Sequence, residues 1–241
     1  MVMVVDAEEL SFSYAGGSET VRLARPPGAS SHGVVLVSDI EAASGDDADP
    51  GWPGLADRLA DAVPACVAVV SLTPSYSPSA VVARVRAVAR ALRLDPRSDG
   101  TVSVIGYGLG GAAAVVAAAL EPIVAGVAAL ATPVDLPQAG YGSDGHLATM
   151  RSAGHADPAD PSAWRREFIA QSPVHHLSRL VGRPILVVHG AADTEVAPAQ
   201  SEILARATGN KVRVLPTAGH RLRHNPVAID LVIEFLKVLA Q

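Results

Sequence analysis

At 241 residues, nearly half of them apolar, the chain has enough material for a single buried core. Its formal charge of −5 is spread over interspersed acidic and basic residues, which excludes the basic face that nucleic acid requires. The lone cysteine, Cys66, excludes an internal disulfide and any multi-cysteine metal site.

Met1 to Glu9 lacks a basic segment followed by an apolar run, so no secretory signal is read there and a cytoplasmic protein is expected. Leu10–Tyr14 and Thr20–Ala24, two alternating segments joined across Gly16-Gly17, predict an antiparallel hairpin. After Pro26-Pro27-Gly28, short apolar runs alternate with helical spacing. The runs are Gly33–Val37, Cys66–Ser71, Val102–Ile105, Val124–Leu130, Ile185–His189 and Val212–Leu215. Continuous β-branched runs indicate strands covered on both faces, as in a parallel sheet.

Between the first runs, Val81, Val85, Val88 and Leu92 form one helical stripe, with Arg84, Arg86 and Arg90 expected to point elsewhere. An Ala-rich helix starts near Gly110. The stretch Gly110–Val134 is nearly uncharged and long enough to span a bilayer, but Glu121-Pro122 divides it, so a buried helix and strand are expected and no membrane span. The excursion 135–172 breaks the pattern. Gly140, Gly142, Asp144, Gly145, His146 and His155 read as loop, followed by a short helix with Trp164 and Phe168 on one face. It is expected either as a lid over the C-terminal edge of the sheet or as a surface excursion pinned by its aromatics. Gly209 ends the helix that starts at Ala199. Asn225 caps the last helix, which opens on Pro226 and buries Ile229, Val232, Ile233 and Leu236. Strands alternating with helices imply one doubly wound α/β domain over 1–241.

The run Val102–Ile105 leads into Gly106-Tyr107-Gly108-Leu109-Gly110-Gly111 and a helix leads out, the setting of a G-x-S-x-G nucleophile elbow. At its centre Gly108 has no side chain, so no acyl-serine can form there. Glycine also relieves the strain of about 1–3 kcal/mol that an elbow imposes on other residues. Two later strands lead to Asp193 and to His220, giving the order elbow, acid, histidine. Together these segments closely resemble the α/β-hydrolase superfamily, from the hairpin to the final helix. The resemblance implies the α/β-hydrolase fold, a mostly parallel sheet of about eight strands with a short lid insertion. It implies Asp193 as triad acid, His220 as triad base, and backbone donors at Leu109 and Ile40. The plainer alternatives are a turn-capping role for Asp193 and an ordinary loop position for His220.

Where members of that superfamily carry His-Gly, this chain has Ser38-Asp39-Ile40-Glu41. An Asp39 carboxylate there opposes a developing oxyanion unless it is protonated or turned away, and could serve as a second acid or base. Ser38, on the opposite wall, and Ser103, inside a strand, are poor replacement nucleophiles. Ser38, Tyr107, Trp164 and Phe168 are expected in the pocket and lid. His189 reads as structural, Cys66 as a small core residue, and His175, His176 and His224 lack ligand spacing, so neither metal nor cofactor is expected.

Three functions are compatible with these residues. The first is a non-hydrolytic enzyme in which the His220/Asp193 dyad transfers a proton in an elimination, isomerisation or cyclisation. It is similar to nucleophile-less α/β-hydrolase proteins that tailor polyketides, including acetate-eliminating ones, which implies loss of a carboxylic acid from an acylated intermediate. The second is an esterase or thioesterase inactivated at position 108, against which the altered Ser38-Asp39 segment weighs. The third is a non-catalytic ligand-binding protein. The expected partner is a small apolar substrate, with a homodimer left open.

Overall fold

Valine-rich runs become strands here, and those inside the sheet are covered by helices on both sides. The computed structural model describes residues 7–14, 17–24, 31–39, 51–72 and 77–240. Gly16, Pro26-Pro27-Gly28, Ile40 and Glu41 lie outside them. The strands are β1 (Ala7–Tyr14), β2 (Gly17–Ala24), β3 (Ser31–Val37), β4 (Ala65–Val70), β5 (Ser98–Tyr107), β6 (Val124–Leu130), β7 (Ile185–Gly190) and β8 (Val212–Leu215). The α-helices are α1 (Gly51–Ala62), α2 (Pro78–Leu94), α3 (Gly108–Leu120), α4 (Asp144–Ser152), α5 (Pro161–Ala170), α6 (Ala199–Thr208) and α7 (Pro226–Leu239).

The strands form one sheet in the order β1-β2-β4-β3-β5-β6-β7-β8. The expected hairpin pairs Ala7 with Ala24 through Tyr14 with Gly17, and β2 joins β4 antiparallel. All later neighbours run parallel. On β3, Val35 and Val37 pack with α2 and α3, while Val34 and Leu36 pack with α1 and α7 on the other face. This double burial is why the strand reads as an unbroken apolar run.

The helix boundaries follow local chemistry. α3 stops just before Glu121-Pro122, as expected, and Glu121 is buried with ion pairs to Arg86 and Arg90. No helix among the described residues is long and apolar enough to cross a membrane. Gly209 closes α6 at φ 74°, and the Asn225 side chain accepts the N–H groups of Val227 and Ala228 at the start of α7.

Some expectations need correction. The run Val212–Leu215 is not covered on both faces, because β8 is an edge strand with Val214 52% exposed, and Ile233 of α7 is only partly buried. Arg84 does not point away from the core. It is 6% exposed, its guanidinium held by Glu19 at 2.7 Å and by the carbonyl of Ser71 at 2.9 Å, so a paired charge is tolerated beside the valine stripe. The stretch from Gly140 to His155 is not all loop, because it contains α4. Ser143 caps that helix by accepting the His146 N–H, and Asp144 pairs with Arg165 of α5. Gly142 and Gly145 had hidden a helix stabilised by its cap and its neighbour.

One close approach sets up the site. The first turn of α3 lies so near the end of β3 that a Cβ on Gly110 would strike the backbone of Val37 and Ser38. The chain leaving β3 is thereby held over the start of α3, with Asp39 at its tip. Gly110→Ala is expected to destabilise the fold by about 1–3 kcal/mol in urea unfolding. An unchanged midpoint would show that the two backbones are not held together by this contact.

Candidate active site

The C-terminal ends of four strands bring the candidate residues together. Asp193 follows β7, and its Oδ1 accepts the N–H groups of Glu195 and Val196, both at 2.9 Å. Its Oδ2 meets His220 Nδ1 at 2.8 Å and His189 Nε2 at 3.1 Å. His189 in turn contacts Ser201 Oγ at 2.6 Å and the carbonyl of Val196 at 2.9 Å. Asp193 is therefore locked on every side before it orients His220. Burial opposes ionisation of Asp193, but the hydrogen bonds from His189, His220 and Val196 outweigh it and hold the carboxyl well below the usual range.

At the elbow, Gly108 has φ 55°, the left-handed region. A Cβ built on it would overlap the Asp39 carboxylate and lie 3.5 Å from His220 Nε2. Asp39, from the end of β3, thus occupies the space into which a side chain at position 108 would extend. Its Oδ2 accepts the Leu109 N–H at 3.3 Å and lies 3.9 Å from His220 Nε2. Leu109, expected as an oxyanion donor, is already engaged by this carboxylate. Its expected companion, Ile40, is outside the described residues.

Glu195, which the sequence did not single out, brings Oε2 to 3.9 Å from the same His220 nitrogen and is about half exposed. Three carboxylates thus surround one imidazole. Burial disfavours the charged form of His220, yet Asp193, Asp39 and Glu195 outweigh it and push its pKa up from 6.5 to about 10. These neighbours favour the imidazolium form of the ring.

Among the remaining expected residues, Tyr107 contacts the centre directly. Tyr107 is wholly buried, its ring 4.9 Å from the His220 ring, and Arg223 stands over it at 5.6 Å. Tyr107 therefore backs the imidazole. Ser38 is buried with its hydroxyl accepting the Leu72 N–H, and Ser103 is buried against His32 Nε2 at 2.8 Å. Phe168 is fully buried and packs on Trp164, with ring centroids 4.6 Å apart.

His146 completes this aromatic cluster, stacked on Trp164 at 5.4 Å and edge-on to Tyr141 and Phe168. Its Nδ1 accepts the Gly142 N–H, which leaves the proton of the neutral ring on Nε2. Burial lowers His146 to about 4, against the opposing pull of the Asp39 charge, so the ring is neutral and within electrostatic reach of the centre. A cavity of about 640 Å³ lies on the outer side of the cluster, lined by Trp164, Glu167, Arg151 and Ser77 among others. Asp39 and His220 are not among its walls. Among the described residues no group of His, Cys, Asp and Glu could hold a metal.

These shifts fix the pH response. His220 is raised, so its contribution to stability is complete below its unfolded value of 6.5 and is lost as pH rises through about 10. Asp193 is lowered, so its contribution is present above 3.8 and is lost as pH falls below that. An NMR titration of the folded protein should place the His220 midpoint well above 6.5. The stability gap between wild type and His220→Gln should be constant between about pH 4 and 6.5 and shrink above it. A midpoint at or below 6.5 would contradict the three-carboxylate environment.

The fold has counterparts among known proteins. The family described as the prolyl oligopeptidase family (Peptidase_S9) matches residues 81–240. Among proteins of curated function none matches. The esterase Est1E from Butyrivibrio proteoclasticus is similar in structure, with a TM-score of 0.75 at 14% identity over 96% of this chain and 98% of that one. An esterase domain from Rhodothermus marinus gives 0.71 at 18% identity over 98% of both chains. Acylaminoacyl peptidase from Pyrococcus horikoshii gives 0.73 at 15% identity over 99% of this chain but 42% of its own. At such identities the structural likeness carries the fold alone, which is the α/β-hydrolase fold. The sequence match, which takes in Gly108, Asp193 and His220, goes further: the chain belongs to the prolyl oligopeptidase family of the α/β-hydrolase superfamily.

Proposed function

We propose that this chain is a non-hydrolytic member of its superfamily, an eliminating enzyme that releases a carboxylic acid from an acylated, polyketide-type small molecule. The observation that carries the reading is the Asp39 carboxylate lying where a side chain at position 108 would stand. Serine hydrolysis needs a hydroxyl at that place and a free Leu109 N–H to receive the oxyanion. Here glycine supplies no hydroxyl, and the N–H is engaged by Asp39.

The same geometry redistributes the roles expected from the sequence. A protonated His220 is unsuited to removing a proton, so the base is Asp39 and His220 is its cationic partner, oriented by Asp193. Asp39 takes the proton from a carbon beside a carbonyl. The C–H electrons form the new double bond, the C–O bond to the acyloxy group on the next carbon breaks, and its electrons leave with the carboxylate. The His220 imidazolium faces that departing negative charge. The products are an unsaturated compound, a carboxylate and one proton, left on Asp39. Isomerisation or cyclisation would use the same first step.

The alternative of a hydrolase inactivated at position 108 fits less well. Restoring serine would require the Asp39 carboxylate to vacate its place, so Gly108 and Asp39 suit one another as a pair. The excursion 135–172 acts in this reading as a lid, with Trp164 joining the cavity wall to the cluster that holds His146.

With a β-acyloxy carbonyl substrate in ¹⁸O-labelled water, elimination leaves both original oxygens in the released carboxylate, whereas hydrolysis adds one from water. Label in the carboxylate would overturn the proposal. Asp39→Asn should lower kcat by about 10²–10⁴-fold, and Gly108→Ser should give no gain in turnover. Trp164→Ala should raise KM for an apolar substrate by about tenfold through lost burial, with kcat changed less.

A further inference from the structure

His220 Nε2 faces two carboxylates at the same separation. Asp39 Oδ2 approaches at 3.9 Å from the buried side, and Glu195 Oε2 at 3.9 Å from the loop after β7. The two differ in exposure, since the Asp39 side chain is 8% exposed and that of Glu195 is 47% exposed. A triad histidine needs only its acid at Nδ1, and Asp193 already fills that place. Glu195 is thus not explained by orienting the ring.

We propose that Glu195 is a positioning residue for the His220 Nε2 proton and its outlet to solvent. The inference rests on the eliminating reading, in which each turnover leaves one proton on a buried carboxylate. His220 passes its Nε2 proton to Glu195, which gives it to water. The freed nitrogen lone pair then accepts the proton from Asp39, which restores both the imidazolium and the base. One proton enters and one leaves, so the relay balances without a further reactant.

The surrounding charges are compatible with this direction. From the loop after β7, Asp193 holds Nδ1 and keeps the ring oriented while the Nε2 proton moves. Tyr107 of β5 covers the ring, with Arg223 beyond it. His146, from α4, is neutral and answers to the Asp39 charge. Among these groups Glu195 is the carboxylate that reaches both Nε2 and solvent.

The test needs no substrate. In ¹⁵N-histidine-labelled protein, exchange of the His220 Nε2 proton with water is measured near neutral pH, and the His220 midpoint is taken from a titration. Glu195→Gln keeps the backbone N–H that Asp193 accepts, so the fold is expected to be retained, with unfolding curves as the control. The expected result is exchange slowed by about tenfold or more and a midpoint lowered by about one pH unit. Glu195→Asp, which retains the charge, should recover part of both. Unslowed exchange in Glu195→Gln would overturn the proposal whatever the midpoint does, since removing any nearby carboxylate lowers the midpoint. Because both readouts concern the resting protein, they can fail while the oxygen-labelling experiment succeeds, and the reverse.

Discussion

One small volume, above the start of α3 and beside the His220 ring, can hold either a side chain on residue 108 or the carboxylate of Asp39. Glycine at 108 gives it to the carboxylate. Much of the centre follows from that exclusion. The Leu109 N–H, at the head of a helix where a partial positive charge collects, bonds Asp39. The imidazole that would face a hydroxyl faces an anion instead. The two backbones can meet because Gly110 adds no Cβ between them.

Electrostatics then sets what the centre can do. A buried carboxylate is tolerated where donors and a cation compensate its lost hydration. Asp193 has two backbone N–H groups and two imidazoles, and the partners of Asp39 include the Leu109 N–H and the His220 ring. The imidazole is held in its charged form by the same neighbours. In a serine hydrolase the corresponding ring must start neutral to accept a proton from the nucleophile. The inversion of charge at one ring separates the chemistry proposed for this chain from that named for the esterases and peptidases it resembles in fold.

Much of the frame was legible in the chain. The strands β6 and β8 begin and end where the apolar runs do, and the Asn225-Pro226 start of α7 follows from capping chemistry. Asp193 and His220 were legible through the resemblance to the α/β-hydrolase superfamily, whose order of elbow, acid and histidine they follow. Other features depended on partners distant in sequence. The burial of Arg84 requires Glu19, 65 residues away, which no helical stripe reveals. The helix α4 was obscured by Gly142, just before it, and by Gly145 in its first turn, whose low propensity is offset by the Ser143 cap and by packing. His146 read as a loop histidine because its ring partners Tyr141, Trp164 and Phe168 meet only when α4 folds against α5.

The amino-acid order by itself determined the doubly wound sheet, the glycine at the elbow and the identity of the acid and histidine that follow it. These are matters of period, capping and chain order, which short stretches encode. Only the tertiary structure decided where the Asp39 carboxylate rests, that Glu195 comes as near to His220 as Asp39 does, and that the ring between them is biased toward its charged form. Those outcomes depend on distances between strand ends separated by many residues, and on the dielectric of the space they enclose, neither of which is written in any local pattern.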